Sequence, residues 1–326
     1  TSASVSEPAS AAAVVVGRRD KSALARAFDD HHFVAVVDIR APRGLDLAAT
    51  TGQARRFRDG GAVAVSVPDY PRSGARASAL ALAALVERAG VETLLHCPCR
   101  DRTLIGLQAD LVGAHAMGIR NVLLTTGSPA RAGNYPEHTS VFEVDAIGLI
   151  NLATRLNHGQ DMAGQALGAS TAFHIGATFN PFPADDDAEW DRLTRKIEAG
   201  AEFLVTPPVL DLEAFEPVLR RLRSLGLPVL AGVAMLESAR QAEVLSSEVV
   251  GVRASDAVLA RLREAGDQGA EAGRVTVEII EWLRERADGL VCTWLHGTSD
   301  TAERVLDAVR PHLRGLASAP SEGKSA

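Results

Sequence analysis

The sequence predicts a single (β/α)8 barrel of the α/β class, the TIM barrel, on three observations. Eight short apolar runs recur along the chain, with longer amphipathic segments between them. The runs are continuous rather than alternating, as in strands covered on both faces of a parallel sheet. An open doubly wound sheet would be expected to carry a glycine-rich phosphate loop after its first strand, and Asp38-Ile-Arg-Ala-Pro-Arg-Gly44 is not one. The length of 326 residues suits one large barrel or two ordinary domains, so the rhythm of the elements decides.

In chain order the strands are read at Phe33–Ile39, Ala62–Val67, Glu92–Cys97, Asn121–Thr126, Thr171–Phe179, Glu202–Pro207, Pro228–Met235 and Gly289–Leu295. Between Arg102 and Gly118, the residues Leu104, Leu107, Leu111 and Ala114 fall on one helical face, and Gly118 stands where a C-terminal cap is expected. After Asp211 a second stripe runs through Phe215, Leu219, Leu222 and Leu225, closed by Gly226 before Pro228 opens the next strand. Residues 1–20, rich in Ser and Ala, read as a flexible tail, residues 21–315 as the barrel, and residues 316–326 as a second tail.

Composition narrows the function classes. A net charge of −7, from 34 basic against 41 acidic side chains, argues against a nucleic-acid partner. Three cysteines, Cys97, Cys99 and Cys292, are too few for a disulfide framework and point to a reducing compartment. Cys97 and Cys99 lack the second pair that a structural metal site would recruit, so no metal is expected. The run Ala11–Val16 is too short for a signal peptide and has no basic region before it. No stretch reaches the ~20 apolar residues that span a bilayer, and a cytoplasmic protein is the simplest expectation.

A barrel of this kind carries its functional residues at the C-terminal ends of its strands. Those ends hold Asp38, Asp69, His96 to Arg102, Thr125 to Ser128, Asn180, Pro207, Met235 and His296.

The segment His96-Cys-Pro-Cys-Arg-Asp-Arg-Thr-Leu-Ile-Gly-Leu-Gln108 resembles the third strand and helix of methylenetetrahydrofolate reductases, above all the reductase half of bifunctional homocysteine methyltransferase/reductase proteins. The likeness continues through Gly118–Pro129, Thr139–Asp145, Gly176–Pro181, Arg195–Phe203 and Ala231–Ser238, in order and with matching spacing. It implies a barrel that binds FAD, takes electrons from NADH or NADPH, and passes hydride to a folate-bound one-carbon unit. That chemistry needs a carboxylic acid to protonate a nitrogen as the folate's five-membered ring opens. It also needs cationic or N–H partners for the cofactor's pyrophosphate.

Residue by residue, the resemblance places the general acid at Asp38, where the family has Glu, shortening the side chain by about 1.5 Å. An ordinary strand-end residue paired with Arg40 or Arg43 is the other reading of Asp38. Cofactor contacts are implied at His96, Arg100, Thr126, Gly127, Ser128, Glu189, Arg195 and Lys196, and substrate contacts at Phe179, Pro207 and His296. Ser128 replaces the family's Asp beside the flavin, and Pro207 replaces the Gln that helps hold folate. Glu189 and Lys196 are seven residues apart, two turns along one helical face. His174, inside the fifth strand, reads as a core histidine or, with His296, as a candidate to compensate for an altered acid. The sequence therefore supports three functions: the folate reductase, with a homo-oligomer among its expected forms; a divergent enzyme on the same barrel, flavin-independent or acting on another one-carbon carrier or specialised metabolite; and a non-catalytic relative.

Overall fold

A computed structural model of the chain describes residues 14–69, 76–128, 137, 139–293 and 306–307. Eight parallel strands close in sequence order into a barrel: β1 Val34–Asp38, β2 Ala64–Val67, β3 Thr93–Pro98, β4 Asn121–Thr125, β5 His174–Thr178, β6 Phe203–Pro208, β7 Val229–Ala234 and β8 Gly289–Thr293. Each lies within a residue or two of its predicted span, except β5, which starts three residues later.

The helices are α1 Ala23–Asp29, α2 Ala48–Asp59, α3 Ala79–Arg88, α4 Leu104–Ala116, α5 Ala146–Asn157, α6 Asp186–Glu198, α7 Leu212–Arg223, α8 Ala239–Glu248, α9 Asp256–Glu264 and α10 Gln268–Arg284. Both predicted stripes lie on helices, α4 and α7. Leu225 is the exception: α7 stops at Arg223, and Leu225 is exposed in the turn before Gly226, whose φ of +73° reverses the chain. Three helices, not one, join β7 to β8, and of these α10 packs on both strands.

Strand alternation sorts the buried side chains into two cores. Val37, Val65, Leu95, Leu124, Ile175, Leu204, Ala231 and Leu290 point outward, into the layer beneath the helices. Val34, Val36, Ala64, Leu94, Leu123, Phe203, Val205, Leu230 and Val291 point inward and fill the barrel together with Leu24, Ala27 and Phe28 of α1. The first helix thus plugs the N-terminal end of the barrel. Polar anchors hold it there: the Ser22 hydroxyl donates to Asn121 Oδ1 (2.6 Å), Glu92 accepts from the amides of Ala23 and Leu24 (2.7 and 2.9 Å), and Lys21 Nζ meets Glu202 (2.7 Å). The turn before it, Arg18–Asp20, falls in the span read as a tail, and its Arg18 and Arg19 pair with Asp29 and Asp30.

Two glycines are obligatory for this packing. An added Cβ at Gly176 would lie 2.4 Å from the Phe203 ring, and one at Gly232 would lie 2.5 Å from the backbone of Pro207. The second contact accompanies a register shift between β6 and β7, between Val205 and Pro208. Because Phe203 is fully buried between Phe28 and His174, its ring has nowhere to retreat. Gly176→Ala is expected to destabilise the fold by about 1–3 kcal/mol, read as a lower denaturation midpoint at unchanged slope.

Candidate functional site

The alternation that fills the barrel with Val and Leu brings a different set inward at its C-terminal end. Asp38, Ser66, His96, Thr125, Thr178 and Thr293 each continue an inward-facing series on their strands. Above them opens a cavity of about 840 Å³, lined by Asp38, His96, Thr125–Ser128, Asp145, Thr178–Asn180, Glu189, Arg192, Lys196, Thr206–Pro208 and Thr293 among others. This is the strand end at which barrels of this class carry their sites.

Asp38 is buried at the cavity floor, and its Oδ1 accepts no hydrogen bond among the described residues. Burial pushes its carboxyl up to about 6, against the pull of the Ser66 and Thr293 hydroxyls and the Arg40 charge. Next to it in the sheet, Ser66 pairs in register with Asp38 and sits 2.8 Å from His96 Nε2. Burial pushes His96 down to about 4, with Asp69 opposing, so its imidazole is neutral at pH 7. His174 plays no part here. It stands at the start of β5, at the opposite end of the barrel, fully buried, with Nδ1 3.0 Å from Asn121 Oδ1.

The turn after β4 is built from below. Arg100 is buried under it, with Nη1 donating to the Ser128 carbonyl (3.4 Å), Nη2 to Asp69 (3.3 Å) and Nε to Asp101 (3.0 Å). Arg100 therefore supports the wall rather than lining it. Gly127, at φ +84°, has no room for a side chain: a Cβ would lie 3.0 Å from the Cβ atoms of both Arg100 and Pro98. Protein packing by itself favours glycine here, and Gly127 also lines the cavity. Thr126 Oγ1 accepts from the Ala146 amide (3.1 Å), and Asp145 caps α5 by accepting from Gly148 N (2.9 Å). Ser128 is exposed on the cavity wall.

On the far wall, Glu189 and Lys196 do share a face of α6, both buried. Lys196 Nζ donates to the Thr178 carbonyl (2.7 Å), and burial pulls its ammonium below the usual range. Glu189 accepts from Asn180 N (3.1 Å) and from Arg192 (2.8 Å). Arg195, expected beside them, is on the solvent side of α6 and pairs with Asp191 (2.9 Å); one residue is 100° of helix, enough to turn it away. Phe179 is almost wholly buried, its ring 4.7 Å from that of Trp190, with one edge on the cavity. Pro207 lines the cavity at the register shift. His296 lies outside the described residues.

Ser66, Thr293, Thr178, Asp145 and Arg192 were not singled out from the sequence. For the first three a signal existed: a hydroxyl residue at an inward position near the end of an otherwise apolar run. Asp145 and Arg192 face the cavity only through tertiary packing. Among the described residues no cluster could hold a metal ion, and no helix is long and apolar enough to cross a membrane.

Comparison with known proteins bears on this geometry. Methylenetetrahydrofolate reductase 1 of Schizosaccharomyces pombe is 25% identical over 154 residues, covering 45% of this chain and 23% of the yeast protein, so the chain spans less than a quarter of that relative. Among solved structures, a protein from Clostridium thermocellum described as binding two copies of 5-methyl-5,6,7,8-tetrahydrofolic acid superposes with a TM-score of 0.59 at 10% identity, over 87% of this chain and 96% of its own. Tryptophan synthase from M. tuberculosis superposes with a TM-score of 0.52 at 13% identity, over 90% of this chain and 99% of its own. At such identities both show the fold alone. The family model of methylenetetrahydrofolate reductase matches residues 26–296, which take in all eight strands and the cavity above them, and the chain belongs to that family.

Proposed function

We propose that the chain reduces a folate-bound one-carbon unit, with Asp38 as the proton donor and NADH or NADPH as the source of hydride. The observation that carries this reading is a buried carboxyl on the cavity floor, raised to about 6, in a member of this family. A group with that value is protonated in roughly a tenth of molecules at pH 7, in the range useful to a general acid.

The bond changes balance with two reactants and one proton. Asp38 gives its proton to the folate nitrogen that leaves the methylene carbon. The electron pair of that C–N bond goes to the nitrogen, and the carbon becomes an iminium. Hydride from C4 of the dihydronicotinamide adds to this carbon, giving a methyl group and an oxidised nicotinamide. Asp38 is left as a carboxylate and must be reprotonated. Pro207 offers no N–H, so the pterin edge would be recognised by the hydroxyls and amide around it: Thr125, Thr178, Thr293 and Asn180.

The residues present do not fit a resident FAD. Its pyrophosphate would find Lys196 tied to Thr178 and Arg192 neutralised by Glu189, while Arg195 faces solvent. The N-terminus of α5, an anion site in other settings, is capped by the chain's own Asp145. Ser128 brings no charge to a flavin ring. A dinucleotide that comes and goes as a co-substrate needs far less affinity than one that stays, so these features weigh against FAD and not against NADH or NADPH. The reading therefore has hydride pass directly from nicotinamide to folate.

Purified protein is expected to show no retained absorbance near 450 nm after incubation with FAD and removal of the excess, and to oxidise NADH or NADPH with methylenetetrahydrofolate without added flavin. Retained flavin with strictly flavin-dependent turnover would reverse that part of the reading. Asp38→Asn is expected to lower kcat by about 10²-fold or more. The same variant carries a stability test. A folded-state value above the ordinary 3.8 means that the folded chain binds more protons than the unfolded chain between pH 4 and 6. Wild-type stability should therefore fall as pH rises through that window, by an amount on the order of 3 kcal/mol, and Asp38→Asn should lack that slope. Arg195→Ala is expected to leave KM for the nicotinamide co-substrate unchanged in steady-state kinetics, because its guanidinium pairs with Asp191 on the solvent side of α6.

A further inference from the structure

Once Asp38 has given up its proton, it sits at the bottom of a cavity filled by substrate, and a new proton needs a path to it. The sheet supplies a candidate. Asp38, Ser66 and His96 occupy inward positions in the C-terminal halves of three consecutive strands, and Asp38 and Ser66 are register partners. Ser66 is fully buried, and its Oγ is 2.8 Å from His96 Nε2. The half-buried imidazole of His96 lies on the cavity wall.

A serine hydroxyl has one proton to give and lone pairs to accept with, so it can donate to only one of its two neighbours at a time. With Asp38 ionised, Ser66 donates to the carboxylate, and Oγ accepts from His96, which must carry its proton on Nε2. With Asp38 protonated, the carboxyl donates to Ser66, Ser66 donates to His96 Nε2, and the imidazole must carry its proton on Nδ1. The two states interconvert by three transfers in one direction: Ser66 to Asp38, Nε2 to Ser66, and a proton from solvent water to Nδ1. No net charge stays on the relay.

We propose that Ser66 and His96 form a proton relay that reloads Asp38, with the imidazole switching tautomer each time the carboxyl changes state. The proposal rests on the assignment of Asp38 as proton donor. The surroundings suit it. His96 stays uncharged between transfers because burial disfavours the imidazolium. Around Asp38 the other groups are the Thr293 hydroxyl, the Arg40 charge and the Cys292 thiol, which its own burial pushes up and out of the working range. The one charge that bears on His96 among the described residues is Asp69. Ser66 acts through its neighbours and is a positioning residue.

The test is a ¹⁵N NMR titration of the wild-type protein, with its histidines ¹⁵N-labelled and His96 assigned by comparison with His96→Gln. The expected result is that Nε2 of His96 moves from an unprotonated to a protonated ring-nitrogen shift as pH rises through about 6, with Nδ1 moving the opposite way and no imidazolium appearing in between. Ser66→Ala should abolish the coupled switch and Ser66→Thr should restore it. In turnover, Ser66→Ala should lower kcat by about 10-fold or more at nearly constant KM for folate. A single His96 tautomer across pH 5 to 7 in the wild type overturns the relay, even if Asp38→Asn is inactive. A clear switch in an enzyme whose Asp38→Asn variant turns over normally overturns the assignment of the acid instead.

Discussion

Closure of eight parallel strands into a barrel leaves every strand residue a choice between two environments, and the site depends on that constraint. Inward and outward positions alternate along the strands, with a register shift in β6 as the exception, so one parity must serve two purposes. Low in the barrel it must fill a dry core with Val, Leu and Phe against the plug of α1. At the C-terminal end the same parity must present polar groups to a ligand. The change from Val36 to Asp38, from Ala64 to Ser66, from Leu94 to His96 and from Val291 to Thr293 is that transition, written on each of these four strands.

The dry core below and the cavity above together give the floor of the site its chemistry. A carboxyl standing on a layer of aliphatic side chains loses hydration, and its charged form is disfavoured; the hydroxyls of Ser66 and Thr293 recover part of the loss and leave it near 6. The same burial keeps His96 neutral. Neither effect needs a strong ion pair at the reacting end. The ion pairs stand one step back, where Asp69 holds Arg100 and Arg102 (3.3 and 3.1 Å) and Arg100 in turn holds the Ser128 carbonyl. Positioning is thus assigned to charged groups behind the wall and reactivity to weakly solvated groups on it.

Much of this was legible in the sequence, for reasons that can be named. The strands were visible because a parallel strand buried on both faces has no polar interruptions except where its function begins. Asp38 was visible both as such an interruption and through the family resemblance. Arg195 was misplaced because adjacent basic residues on a helix cannot be told apart until its phase against the sheet is known, and Lys196 is the one turned inward. His174 looked like a spare acid because the strand read from Thr171 placed it mid-strand with its side-chain direction open, whereas β5 begins at His174; the polar network of Asn121, Ser22 and Glu92 holds it at the closed end. Arg100 was placed near the turn, and its guanidinium meets the Ser128 carbonyl, Asp69 and Asp101 behind the wall. The breaks between the three helices that join β7 to β8 carry local signals, Gly251 at φ +84° and the N-caps Ser255 and Asp267.

The central claim is that Asp38 is a buried acid that takes and gives a proton near neutral pH. Infrared difference spectroscopy of the wild-type protein against Asp38→Asn, recorded across pH 3 to 8, reads that carboxyl alone through its protonated C=O stretch. The account predicts a single band present below and lost above a midpoint of about 6. A midpoint near 4, the value of an ordinary solvated carboxylate, would contradict it.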